Sequence, residues 1–491
     1  MILPWFVIVP LLAAFLIALV NARREVWAVG IAFLATAALL VMAVGAFVIL
    51  DGSTLTYAMG GWPVPLGISL VLDSFSAFML IMVSVVSLAA MLFSVEYTRH
   101  MDCDWRYYAL FMLLTAGMNG VLITGDLFNL FVFMEVALVA AFALVAFGRH
   151  AEEFEAAFKY AVMGSLSSSL ILLAIAVTYS ATSTLSMARI AEALPQSDPV
   201  IRYWIGGLFL AGFGLKAAMM PFHAWLPDAH SSAPAPISAM LSGVLIKALG
   251  IYTLMRVFFN VLGAPDLFLR LFLVLGAVSI IAGVLLALAQ WDFKRLLAYH
   301  SISQIGYILL GMGLATPLGI VGAVFHLFNH ALFKGLLFLN AGAVEMAIGT
   351  RDLQKMGNLT GRLAVTSRTS MVASLSIAGI PPLNGFFSKV VIIIACVQAH
   401  EYLFGLLAVL GSVLTLASFM KVQRYGFRSE RTVSQWLTLP DWRMNAAMIF
   451  LAVLCVAASL LIVPGIREAV LDPVATAVLN GTGYIQLVLG R

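Results

Sequence analysis

Fourteen runs of roughly twenty residues, apolar almost throughout, follow one another along this chain of 491 residues. They lie near 3–20, 27–50, 66–94, 107–124, 127–147, 157–180, 203–225, 237–260, 268–289, 296–315, 318–347, 364–398, 403–421 and 445–464. About 20 such residues are what an α-helix needs to cross the hydrocarbon of a bilayer. Only 10% of residues are charged and 63% are hydrophobic; soluble domains carry about 25% charge. The runs are continuous rather than alternating, which excludes a membrane β-barrel. The expected fold is an all-α polytopic membrane protein of about fourteen transmembrane helices, with no room for a large soluble domain. The first run has no basic segment before it and is followed by Arg23 and Arg24, so it reads as a retained helix and not a cleaved signal.

A net charge of +4 without a basic run argues against nucleic-acid binding. Cys103, Cys396 and Cys455 form no Cys-x-x-Cys pair, and no phosphate-binding or dinucleotide-binding glycine loop is present. No cofactor or metal is expected, and any work must draw on an ion gradient or on partner subunits. With the N-terminus outside, seventeen Lys and Arg residues fall on the cytoplasmic side and its flanks, among them Arg149, Lys294, Arg351 and Arg431. Six fall on the other: Arg189, Arg202, Arg256, Arg270, Arg467 and Arg491. This bias predicts both termini on the extracytoplasmic side of the cell or inner membrane.

The remaining four basic residues, Lys216, Lys247, Lys334 and Lys389, sit inside apolar runs. Each costs about 2.5–3.5 kcal/mol there even on a lenient insertion scale. On this reading every intramembrane base is lysine, the basic residue that readily gives up its proton on burial. Glu135 is central in GDLFNLFVFMEVALVAAF and reads as a structural partner or as a switchable counter-ion for a lysine. Asp126 reads as a cap for the helix starting at Leu127. Lys216 precedes Pro221, and Pro381 and Pro382 precede Lys389, so two broken helices, each with one lysine, suggest an internal repeat around a central ion site.

His326, His330 and Lys334 are four apart and form a stripe about 12 Å long, better suited to a relay than to a metal site. His300 stands with Ser301, Ser303, Gln304 and Tyr307, groups able to hold water or to bond neighbouring helices. His223, Asp228 and His230 surround the first break, either as the cytoplasmic mouth of a path or as caps for a short helix.

These residues carry a resemblance. GDLFNLFVFMEV, LKAAMMPFHAWLPDAHSSAPAPISAMLSGVLIKALGIY, HLFNHALFKGLLFL and IAGIPPLNGFFSK resemble the antiporter-like subunits of respiratory complex I, of multisubunit Mrp sodium/proton antiporters and of membrane-bound hydrogenases. The likeness covers nearly the whole chain. Its length, GDLFNLFVF and the tail GYIQLVLGR look like the Mrp D-type subunit, whereas PFHAWLPDAHSS looks like the hydrogenase and complex I versions. The resemblance implies two inverted five-helix repeats, about 107–260 and 268–421, with three peripheral spans before them and a last span and tail over 422–491. It implies a key pair at Glu135 and Lys216, a connecting Lys247, a histidine region at His326 and His330, and a terminal Lys389. The function expected is a proton-translocating subunit of a larger membrane complex that does no redox chemistry alone, with neighbouring membrane subunits completing any sodium exchange. The rivals are a stand-alone transporter of an organic solute and a structural anchor that conducts nothing.

Overall fold

The computed structural model describes residues 2–20, 25–101, 104–148, 151–430 and 438–490. Arg23, Arg24, Arg149, Arg431 and Arg491 of the charge count, and Cys103, lie outside them. The protein is helical, with one two-stranded antiparallel hairpin, β1 Leu55–Ala58 and β2 Ser69–Leu72. Three helices come first: α1 Trp5–Leu19, α2 Glu25–Leu50 and α3 Ser74–Tyr97. The expected third span, 66–94, becomes helical only at Ser74. Its first residues pair with β1, and the Asp73 carboxylate accepts from Ser76 N to cap the helix.

Two five-part blocks follow. The first runs α4 Trp105–Ile123, α5 Leu127–Val145, α6 Ala151–Thr182, a short α7 Met187–Ala193, α8 Pro199–Ala217 broken before α9 Trp225–Ser232, and α10 Ala235–Val261. The second runs α11 Asp266–Leu288, α12 Phe293–Leu314, α13 Pro317–Ile348, α14 Ala364–Ala378 broken before α15 Asn384–Gln398, and α16 Tyr402–Val422. With the short α7 set aside, the fourth part of each is the broken helix. An odd number of parts in each block is the order that two inverted repeats require. The chain ends with α17 Trp442–Ala457, α18 Pro464–Leu479 and α19 Gly481–Leu489. Each of the fourteen expected ranges falls on a helix or broken helix, and eleven helices among the described residues are long and apolar enough to cross a membrane.

The inner helices α10 and α13 are buried along nearly their whole length, whereas α2, α6 and α16 expose apolar stripes such as Leu34, Val41 and Val48. α10 is wound with three wide i→i+5 turns, at Leu241–Leu245, Lys247–Tyr252 and Arg256–Val261. Such turns gather at functional sites. At Gly250 a Cβ would meet the Ala217 backbone at 2.5 Å, so the end of α8 lies directly on α10.

Candidate functional site: a buried line of lysines and histidines

Both helix breaks leave carbonyls that need partners. α8 stops at Ala218, which adopts left-handed φ 53°, and the Trp225 indole returns to donate to Leu215 O at 3.0 Å. The Trp225 ring stacks on Tyr160, fixing the short helix against α6. α14 stops at Gly379, φ 81°, where a side chain would be strained. There Lys389 Nζ donates to Ile377 O at 2.7 Å, while Ser412 Oγ donates to Ala378 O at 2.8 Å. Lys216 thus sits in the last turn before its break, and Lys389 comes after its break but reaches back to the same kind of helix end. Cations are favoured at helix C-termini; Lys389 places its ammonium on such an end, whereas Lys216 turns its ammonium across to α6.

Lys216 is buried and donates to Gly164 O at 3.0 Å and Ser168 Oγ at 2.9 Å, both on α6. Ser168 Oγ in turn donates to Glu135 Oε1 on α5. Glu135 and Lys216 do not stand on directly facing helices: α6 packs between α5 and α8 and supplies the link. Sequence reading missed Ser168, although SLSSS inside an apolar run was a visible signal. Asp126 caps α5 through Asn129 N at 2.8 Å, as expected.

Farther in, Lys247 Nζ bonds Ser242 O across a wide turn of α10, and Lys334 Nζ bonds Leu297 O on α12. Ser242 Oγ and Ser301 Oγ lie 2.7 Å apart, and Ser301 Oγ donates to Leu297 O at 3.2 Å, so the two lysines share one polar patch. His326, His330 and Lys334 are all fully buried on α13, with the two imidazole rings 6.2 Å apart. His326 Nδ1 lies 2.9 Å from Ser388 Oγ, next in sequence to Lys389, and Tyr307 bridges their surroundings: its ring is 5.4 Å from His326 and 4.7 Å from Lys389 Nζ. Asn329 and Asn384 pair at 2.9 Å and lock α13 to the start of α15. Both His330 ring nitrogens, His326 Nε2 and both ends of the Gln304 amide are buried without hydrogen-bond partners among the described residues, leaving capacity to exchange hydrogen bonds along the line.

The accessory residues divide. His300 Nε2 lies 2.8 Å from Ser418 Oγ inside the second block. His230 is buried edge-on to Trp225 and Phe338. His223 stays at the surface beside Pro221 O, and Asp228 pairs with Lys159 and Arg295 at 3.0 Å each, tying α6 and α12 to the short helix.

One reading is corrected. Arg256, counted as a flank, is buried within α10, so the intramembrane bases are not all lysine. It forks onto Asp73 at 2.7 and 2.9 Å, donates to Asn260 at 3.0 Å, and faces the rings of Phe75, Tyr252 and Tyr484. Lys294, also counted in a flank, is buried and paired with Glu345 at 2.6 Å. Sequence reading took Arg256 for a helix end because it could not see its partner 183 residues away.

Residues 124–415 match the family model described as NADH:quinone oxidoreductase/Mrp antiporter, transmembrane, and 59–111 match that of complex I chain 5, N-terminus. The chain is 36% identical to the D-type subunit of the Na(+)/H(+) antiporter of Alkalihalophilus pseudofirmus, over 88% of this chain and 87% of that protein. It is 37% identical to the N-type subunit of the NADH-quinone oxidoreductase of Desulforudis audaxviator, over 79% of each. A chain of the Mrp complex from a Dietzia species superposes with a TM-score of 0.92 at 29% identity, over 99% of both chains.

Proposed function

The chain belongs to the family of antiporter-like membrane subunits shared by NADH:quinone oxidoreductases and Mrp antiporters, and from that premise we propose that it carries protons along the line Glu135, Lys216, Lys247, His330 with Lys334, His326 and Lys389. It is an antiporter-like, multi-pass integral subunit of a multisubunit membrane complex. The proposed membrane is the plasma membrane, with both termini extracytoplasmic, and sodium exchange, where the parent complex performs it, belongs to neighbouring subunits. The proposed repeats are about 107–260 and 268–421, flanked by three peripheral spans and by the last span and tail.

One observation carries this reading. Arg256 and Lys294, the other buried cations, each hold a carboxylate within ion-pair distance. Lys216, Lys247, Lys334 and Lys389 hold carbonyls, hydroxyls and, for Lys334 and Lys389, an aromatic ring, and no carboxylate within ion-pair distance among the described residues. A buried ammonium without a counter-charge is costly, whereas the neutral amine is not. A lysine so placed suits loading and unloading, and one placed as a structural strut would be paired. The solute-transporter rival gains nothing from Arg256, which is fully engaged. Beside Lys216 the cavity of about 10 Å³ is of a size for a water molecule, not an organic solute.

The test is proton transport by the assembled complex. Glu135→Gln and Lys216→Ala are each expected to remove most activity, and the double variant to be little worse than either single, because the two act as one unit. Undiminished transport in the assembled single variants would return the lysines to a structural role.

A further inference from the structure

Three consecutive serines, Ser167, Ser168 and Ser169, stand in the middle of α6, and the fold gives each a different surrounding. Ser167 Oγ donates to Gly212 O at 2.7 Å and ties α6 to α8. Ser169 is exposed and bonds Ser165 O on its own helix. Ser168 alone lies between two ionisable groups. It accepts from Lys216 Nζ at 2.9 Å, and its hydroxyl has two acceptors within reach, Glu135 Oε1 and, at 3.0 Å, Gly164 O one turn back.

We infer that the Ser168 hydroxyl is the relay through which Lys216 and Glu135 exchange a proton, and that the direction of its single hydrogen opens or interrupts that exchange. The inference rests on the proton route proposed above. Lys216 makes two hydrogen bonds, to Gly164 O and to Ser168 Oγ. A peptide carbonyl is not protonated under these conditions, so only the bond to Ser168 leads onward. In the transfer, an Nζ–H bond of Lys216 breaks as an Oγ–H bond forms, while the original Oγ–H bond of Ser168 breaks as an Oε1–H bond forms on Glu135. An ammonium and a carboxylate become an amine and a carboxylic acid, with one proton moved and no other group consumed. The reverse sequence recharges Lys216. When the hydroxyl points to Gly164 O instead, Glu135 loses its connection and the amine state of Lys216 is held. Switching between these states needs only rotation about Cβ–Oγ, because both acceptors are in reach of one oxygen position. At Gly164 a Cβ would meet the tip of the Phe142 ring at 2.5 Å, so the ring would have to move from its place between α6 and α5.

The experiment compares side chains of equal shape. Ser168→Thr and Ser168→Val differ in a hydroxyl but hardly in volume. They are measured with Ser168→Ala, the outward-facing control Ser169→Ala, and Glu135→Gln and Lys216→Ala. All are assayed in the assembled complex in membrane vesicles, with initial proton-transport rates normalised to co-purified complex. Ser168→Val and Ser168→Ala should lose about tenfold or more, in the range of a missing proton-transfer group, and Ser168→Thr should stay within about threefold of wild type. Ser169→Ala should be unchanged. A purely structural serine would make Thr and Val alike, and equal rates for those two overturn the relay, as does wild-type transport by Ser168→Ala. If these variants transport normally while Glu135→Gln and Lys216→Ala stall, the relay falls and the route stands. If Glu135→Gln and Lys216→Ala also transport normally, the pair itself leaves the route and the relay goes with it.

Discussion

Arg256 and Lys334 are both cations buried in long helices, yet one holds a carboxylate and the other a carbonyl and an aromatic ring. Arg256 holds Asp73 in a two-pronged pair whose side chains are 3% and 6% exposed. Burial, the largest influence on Asp73, would push its carboxyl up, but the Arg256 charge with hydrogen bonds from Arg256 and Ser76 holds it below its ordinary 3.8. A depressed carboxyl contributes stability that is present above its unfolded value and lost as pH falls through its folded value. Thermal stability of the solubilised protein should therefore drop below about pH 3.8, and Asp73→Asn should remove that acid-dependent step. Replacing Arg256 alone should be harsher, about 3–5 kcal/mol, because it strands a buried carboxylate; a thermal shift within error of wild type would deny the pair its structural role. Much of the site was readable at this scale, since charged residues in apolar runs are costly and conspicuous. Which of them are paired was not readable, because the partners are distant in sequence.

The two helix breaks are the elements that aim the site. Prolines announced both, and both are present. The structure gives Lys389 a helix end to serve and turns Lys216, in the last turn before its own break, onto the middle of α6. The α8 break is held in place by contact with α10, where Gly250 leaves no space for a side chain. Gly250→Ala should push the Lys216 turn away from α10, costing about 1–3 kcal/mol from overpacking and lowering transport. Gly207→Ala, on the open face of the same α8 with nothing within 4 Å, should be neutral or stabilising by up to about 1 kcal/mol. Thermal denaturation of the two variants side by side checks this. Equal shifts would mean that the α8–α10 contact does not fix the break.

Across the whole molecule, charged residues collect where helices leave the apolar region. Arg351 reaches Asp292 at 3.1 Å, Glu152 at 3.6 Å and Glu345 at 3.7 Å, and donates to Ser231 O at 2.7 Å, so one side chain joins both blocks on that face. In the proposed orientation this face is cytoplasmic. A cysteine at the exposed position Lys355, 74% accessible, should react with a membrane-impermeant thiol reagent only from the cytoplasm. A tag following the C-terminus should be reached only from outside. Reaction of both from one side would show that a crossing had been miscounted.

Apolar length and proline positions determined the membrane class, the order of helical ranges and the two breaks, because each is a local property of a chain that must satisfy its own backbone in lipid. Local rules also placed Asp126 at the start of α5 and the histidines on one face of α13. The tertiary structure alone decided that Ser168 stands between Glu135 and Lys216, that Lys389 serves the helix end at Ile377, and that Arg256 belongs to Asp73. Each of these is a contact between helices brought together by packing. A serine or an arginine in an apolar run has the same local signature whatever lies across from it.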